Sequence, residues 1–217
     1  GGMMAASQRF VINVKGKQAH GSTPWQSVDP IVTCAQIING LQTLISRESE
    51  LTEEGVVISV GSIHSGIRFN IIPESLEMIG TIRTLDKDMK ELIRKRMQEM
   101  VPAIAQAYRA EATVTIQDGA DITFNNEALT EKMIPTLERV AGNENVYEIN
   151  AITGAEDFSY FQNEVPGLFF FLGGTPLDMK ESDAPSHHTP SFIVDDASMK
   201  LGVKALSNLA VDFLKSK

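Results

Sequence analysis

Six side chains stand out as groups that could do chemistry. His188 lies in His187-His188-Thr189-Pro190-Ser191-Phe192, a polar loop in which an imidazole can ligate a metal or move a proton. Adjacent side chains point apart, so one of the two histidines at most faces a common site, and both also read as solvated loop residues. Glu156 and Asp157 lie in Gly154-Ala155-Glu156-Asp157-Phe158. They fit a general base, carboxylates that orient a metal-bound histidine, or a cap on a following helix. His20, in Lys15-Gly16-Lys17-Gln18-Ala19-His20-Gly21-Ser22-Thr23-Pro24, could polarise a carbonyl or simply face solvent. Asn70 opens an Asn-Ile-Ile-Pro-Glu-Ser segment, and Arg83 lies thirteen positions on, at the far end of an apolar run. Arginine pairs naturally with a carboxylate and asparagine both donates and accepts beside it, although an ordinary strand-end arginine has the same spacing. No GxGxxG, Walker, CxxC, HExxH or GxSxG pattern is present. With four His and one Cys, a metal site built wholly from this chain would be poorly supplied.

The elements that must position these groups follow from hydrophobic periodicity. Phe10, Ile12 and Val14 alternate over 9–14 as a strand. Asp29-Pro30 reads as a helix cap with proline at the first helical position, and Ile31, Ala35, Ile38, Leu41 and Ile45 recur as the helix's apolar stripe. Val56–Val60 and a run through Leu76, Met78 and Ile82 read as two further strands about a Ser65-Gly66 turn. A helix after Asp86 carries Met89, Leu92, Ile93, Met97, Met100 and Ile104, with Pro102 expected to kink or delay it. Ala112, Val114 and Ile116 alternate once more. The order β-α-β-β-α-β is the ferredoxin-like arrangement. Beyond Gln117-Asp118-Gly119 the pattern changes. A helix from Asn126 to about Val140, a strand over Val146–Ile149, a buried parallel strand over Gly167–Gly174 and a last helix over about 196–214 are expected. Two strands and three helical pieces are too few for a complete α/β sandwich.

Composition sets the bounds. The chain has 217 residues, 42% of them hydrophobic and 22% charged, as in ordinary globular domains rather than disordered or fibrous chains. No apolar run approaches the ~20 residues of a spanning helix. The 19 basic and 28 acidic residues give a net charge of −9, so neither a membrane nor nucleic acid is expected as a partner. The single cysteine, Cys34, fits a reducing, cytoplasmic setting. The start at Gly1-Gly2 reads as a cut, so any targeting signal would lie upstream.

Four separated segments, taken in order, resemble one family. They are the run from Met3 to Ile38 with KGKQAHGSTP, then GSIHSGIRFNIIPESLEMIGTIRT, TGAEDFSYF and HHTPSFIVDD. Together they are similar to the di-metal amidohydrolases and metallopeptidases that include hippurate hydrolase, the indole-acetyl-amino-acid hydrolases, aminoacylase and glutamate carboxypeptidase. The resemblance implies an α/β protein in two parts. Residues 9–118 would be a ferredoxin-like lid that dimerises, and 1–8 with 119–217 the C-terminal part of an α/β/α catalytic domain whose N-terminal half is absent. It further implies two divalent metal ions (Zn, Mn or Co) in the intact enzyme, not retained as a pair by this chain, which would be inactive alone. His188 matches a metal ligand, and His20 a lid histidine that reaches the scissile carbonyl, often across the dimer. Asn70 and Arg83 match residues that bind the substrate's carboxylate side, and Glu156 and Asp157 an acidic loop behind the metals. Cys34 does not match the family's ligand cysteine. The expected substrate is an N-acyl amino acid or a small dipeptide-like amide, and the expected assembly a homodimer through the lid. The rival expectation is a non-catalytic ferredoxin-like module for ligand binding or dimerisation, which fold alone would not separate from an enzyme.

Overall fold

The computed structural model describes residues 1–50 and 55–216. In chain order its elements are β1 (Gly2–Met4), β2 (Ala6–Lys15), β3 (Ala19–His20), α1 (Pro30–Thr43), β4 (Val56–Ser65), β5 (Ile71–Ile72), β6 (Ser75–Thr84), α2 (Lys87–Ala107), β7 (Glu111–Asp118), β8 (Thr123–Phe124), α3 (Glu127–Ala141), α4 (Ser159–Glu164) and α5 (Ala197–Lys215). They divide into two compact units. One comprises Gly2–Phe124 with Ala151–Val165, the other Gly1, Asn125–Asn150 and Pro166–Lys217.

The first unit holds the expected β-α-β-β-α-β core. Its four strands lie in the order β4-β6-β2-β7, all neighbours antiparallel. The strand expected over 9–14 extends to Ala6–Lys15, because both edges of β2 find partners along its length. Phe10, Ile12 and Val14 pair opposite Gly80, Met78 and Leu76, and all but Gly80 contribute side chains to the buried core. The Asp29 carboxylate accepts from the backbone N–H groups of Ile31 and Val32, which starts α1 where the Asx-Pro signal placed it.

The α1 stripe is shifted from the one expected. Thr33, Cys34, Ile37, Leu41 and Leu44 are buried, whereas Ile31 is 49% exposed and Ala35 faces outward. Leu41 belongs to both sets, and Ile38 and Ile45 pack half-buried against the core, so the buried face is the expected one rotated toward Thr33, Cys34 and Ile37. Met89, Ile93 and Met97 line the buried side of α2, joined by Val101 and Ala105, while Leu92, Met100 and Ile104 flank them half-buried. Pro102 neither ends nor delays α2, which runs through it to Ala107. The flanking Val101 and Ala105 are fully buried, and their packing offsets the backbone hydrogen bond that proline cannot make.

In the second unit, the Asn126 side chain caps α3 by accepting from Leu129 N–H at 2.9 Å, and α3 continues past Pro135 to Ala141. Helices α3 and α5 are joined where Thr136 Oγ1 donates to Asp212 Oδ2 at 2.8 Å and Arg139 pairs with the same carboxylate. Neither expected strand forms. Val146–Ile149 and Gly167–Gly174 have no strand pairing among the described residues. A strand requires a ladder partner, and the second run is held instead by Asn125, whose side chain donates to Phe169 O and accepts from Phe169 N–H. Phe171 and Leu172 are 43% and 41% exposed rather than buried on both faces.

Candidate functional site in the two-stranded ladder and two loops

The two-stranded β3–β5 ladder brings together two of the six candidates. His20 pairs opposite Ile71, and the Gly21 N–H donates to Asn70 O at 2.8 Å. The approach is close: a Cβ on Gly21 would lie 3.2 Å from Asn70 O, so a larger residue after the histidine would press on the ladder. Thr23 N–H and Oγ1 both donate to His20 O, at 2.9 and 3.2 Å, closing the loop as a turn. The His20 ring is exposed, with Nδ1 engaged by Ser22: its backbone N–H lies at 3.1 Å and its Oγ at 2.7 Å. The two loops that carry this pair also expose large apolar side chains. Trp25 is 72% exposed, Ile67 90% and Phe69 fully exposed. Solvated side chains of this size mark a surface that meets something else. The sequence placed His20 and Asn70 in separate segments, and nothing in a linear pattern announces a ladder of two residues per strand.

Arg83 lies elsewhere. It pairs with Ser7 and Val57 near the C-terminal end of β6, whereas Asn70 precedes the N-terminal end at Ser75. Eight residues of strand at about 3.3 Å each put roughly 26 Å between the two ends. One copy of the chain therefore does not bring Arg83 to Asn70 and His20. Among the described residues no hydrogen bond or ion pair holds the Arg83 guanidinium, so it is available to an external carboxylate.

Glu156 and Asp157 lie just before α4, whose N-cap position is Phe158, and neither carboxylate caps the helix. Glu156 Oε1 accepts from Asp157 N–H at 3.0 Å, and its carbonyl accepts from Ser159 Oγ at 3.0 Å. Glu156 is half-buried and Asp157 exposed. The Ala5 N–H ties the start of this loop by donating to Ile152 O and Gly154 O.

In the other unit, the two loop histidines behave differently. The His187 ring packs edge-on against Phe192 at 4.8 Å and lines a cavity of about 220 Å³ with Leu172, Met179 and Val194. His188 is exposed and adopts φ +62, a left-handed conformation that is uncommon for a residue with a side chain. Thr189 Oγ1 donates to Ser186 O at 2.8 Å and Phe192 N–H to Thr189 O at 3.1 Å, which pins the loop on either side of it. Strain of this kind concentrates at working sites.

No group of three or more His, Cys, Asp or Glu able to hold a metal ion occurs among the described residues. These side chains therefore do not by themselves compose a metal centre. Cys34 is buried in α1, its Sγ 4.0 Å from Met78 Sδ, and burial pushes its thiol pKa up, so it packs as core rather than as a ligand. No helix among the described residues is long and apolar enough to cross a membrane.

Known proteins place this architecture. Residues 6–109 match the family model of the peptidase dimerisation domain. Thermostable carboxypeptidase 2 of Saccharolobus solfataricus is 37% identical over 214 residues, 98% of this chain and 53% of that protein. The N-acetylcysteine deacetylase of Bacillus subtilis is 30% identical over 224 residues, covering this whole chain and 54% of the deacetylase. A crystal structure of a Bacillus subtilis dinuclear metal-binding peptidase of the M20 family superposes with a TM-score of 0.74 at 26% identity, over 100% of this chain and 52% of that one. The chain thus spans about half the length of the curated relatives it matches. The chain carries the peptidase dimerisation domain over residues 6–109 and is similar along its length to M20 peptidases and amidohydrolases.

Proposed function

We propose that this chain is the lid-bearing part of a metal-dependent amidohydrolase that cleaves the amide bond of N-acyl amino acids or small dipeptide-like substrates. The observation that carries the reading is the His20–Asn70 pair on loops that expose large apolar side chains, together with an unengaged Arg83 near the far end of β6. His20 donates a hydrogen bond to the carbonyl oxygen as negative charge develops on it, with Asn70 beside it. Arg83 clamps the substrate's free carboxylate. Because one copy separates these groups by the length of β6, the complete site takes His20 and Asn70 from one subunit and Arg83 from another. The exposed Ile67 and Phe69 form a rim suited to an apolar acyl group.

Residues 9–118 act as the dimerising lid, and 1–8 with 119–217 as part of the catalytic domain. Both outer strands of the sheet, β4 and β7, present an edge through which two copies can pair about a two-fold axis. His188 is the ligand this chain contributes to a pair of divalent ions (Zn, Mn or Co). Glu156 and Asp157 orient ligands from behind, and the remaining ligands come from outside these 217 residues. These residues alone then hydrolyse nothing. A cytoplasmic setting is consistent with a lone, buried thiol.

The test uses the full-length protein, with metal content measured alongside amino-acid release from N-acyl substrates. Losing charge-assisted hydrogen bonds worth about 1.5–3 kcal/mol each, Arg83→Met should raise KM for N-acyl amino acids by roughly one to two decades. The corresponding carboxamides should be affected much less. Equal losses on acids and amides would leave Arg83 a structural strand-end residue. A metal-free, inactive full-length protein would favour the ligand-binding module instead.

A further inference from the structure

We infer that Ser22 is a positioning residue that holds the neutral His20 ring in the tautomer carrying its proton on Nε2. The argument rests on which groups can only donate. The Ser22 backbone N–H lies 3.1 Å from His20 Nδ1 and has no lone pair to offer. A hydrogen on Nδ1 would therefore face another hydrogen, so Nδ1 presents its lone pair. The Ser22 hydroxyl, which rotates freely, then turns its own hydrogen to the same nitrogen at 2.7 Å. Two donors from one residue converge on one acceptor, and the ring's single proton is left on Nε2. Among the described residues no hydrogen bond engages Nε2. It is thus an exposed donor that no described protein group accepts from.

The loop is built to keep this geometry. Its turn is closed by Thr23 on His20 O, and its far side is fixed by Gly21 on Asn70 O. The ring, the serine and the asparagine then move as one unit. Neither the hydroxyl nor the backbone N–H of Ser22 needs to reach the substrate, since both act through the ring. The role assigned to Nε2 rests on the proposed reading of His20 as the donor to the scissile carbonyl, but the tautomer itself does not.

Two measurements keep those claims separate. In the first, the 217-residue chain is labelled with 15N at histidine and long-range 1H–15N correlations are recorded in mildly alkaline buffer. His20 is identified among the four histidines by the signals lost in His20→Gln. Nδ1 should resonate near the unprotonated limit and Nε2 near the protonated one. In Ser22→Ala, which keeps the N–H but loses the second donor, Nδ1 should remain the less protonated nitrogen while the two shifts move part of the way toward each other, and Ser22→Thr should restore them. A protonated Nδ1 in the unsubstituted chain, or a Ser22→Ala spectrum identical to it, would overturn the inference. In the second, the full-length enzyme carrying Ser22→Ala should lose about tenfold in kcat with KM within twofold, and Ser22→Thr should recover it. Shifts that change while kcat does not would overturn the role of His20 at the carbonyl and leave the tautomer assignment standing.

Discussion

The two units of this chain meet the same requirement, burying apolar residues, with different success. In the sheet unit every apolar alternation has a partner: Phe10, Ile12, Met78, Ile82, Ile93 and Met97 are fully buried between four strands and two helices. In the other unit, Ala205 is the one buried hydrophobic residue on α5, while Met199, Val203, Leu206 and Leu214 are exposed. Its most apolar run, Gly167–Gly174, has no ladder partner among the described residues. An apolar pattern states how much burial a segment needs. It does not state whether the neighbours that would supply it lie in the same stretch of chain.

Truncations at one buried and one exposed position put numbers on the comparison. Phe10→Ala opens a cavity in the fully packed sheet unit and should cost about 3–5 kcal/mol in urea unfolding followed by circular dichroism. Leu177→Ala, at a fully exposed position of the other unit, should stay within about 0.5 kcal/mol. A loss below about 1 kcal/mol for Phe10→Ala would mean that the sheet unit is not packed as described. Glycines give a smaller contrast of the same kind. A Cβ on Gly80 would lie 2.2 Å from Phe10 Cζ and 2.3 Å from Ser59 O, so Gly80→Ala should destabilise by about 1–3 kcal/mol. Gly173→Ala meets nothing within 4 Å and should be close to neutral.

Acid should act on the sheet unit through two of its carboxylates. Burial pushes the Asp118 carboxyl up, but the Gln8 hydrogen bond and the Lys90 and Arg94 cations outweigh it and hold it below the usual range. Asp121 is likewise raised by burial, and more than compensated by the Ile122 N–H and Lys90. A depressed folded-state pKa contributes stability that is present above the unfolded value of about 4 and is lost as pH falls through the folded value. Melting temperature of the sheet unit should therefore hold steady from neutrality to about pH 5 and fall below about pH 4. In Asp118→Asn the fall should be shallower. An unchanged acid profile in that variant would remove Asp118 from the account.

The fold of the sheet unit is legible in the sequence because its signals are local and agree with one another. The Asp29-Pro30 cap, the Phe10-Ile12-Val14 alternation and the Asp86 start each predict what is found. The helix stripe over Ile31 and Ala35 differs from the buried one because α1 has apolar residues on more than one side, and only the sheet decides which are covered. The strands expected at 146–149 and 167–174 do not form because a strand depends on a partner that composition cannot reveal. Of the site, the residue types are legible and their grouping is not. His20 meets Asn70 through a ladder too short to leave a periodic trace, and the linear spacing of Asn70 and Arg83 conceals that a whole strand separates them.

The central claim is that His20 and Arg83 serve one site from two copies of the protein. Mixing full-length His20→Ala with full-length Arg83→Met, each nearly inactive at substrate concentrations below the unsubstituted enzyme's KM, and allowing subunits to exchange tests it directly. Half of the resulting dimers are mixed, and in each of those one of the two sites draws an intact His20 and an intact Arg83 from opposite subunits. The account predicts recovery to about a quarter of wild-type amide hydrolysis. Complete exchange of subunits with no recovery would place both residues in the same subunit's site, or outside it, and would contradict the account.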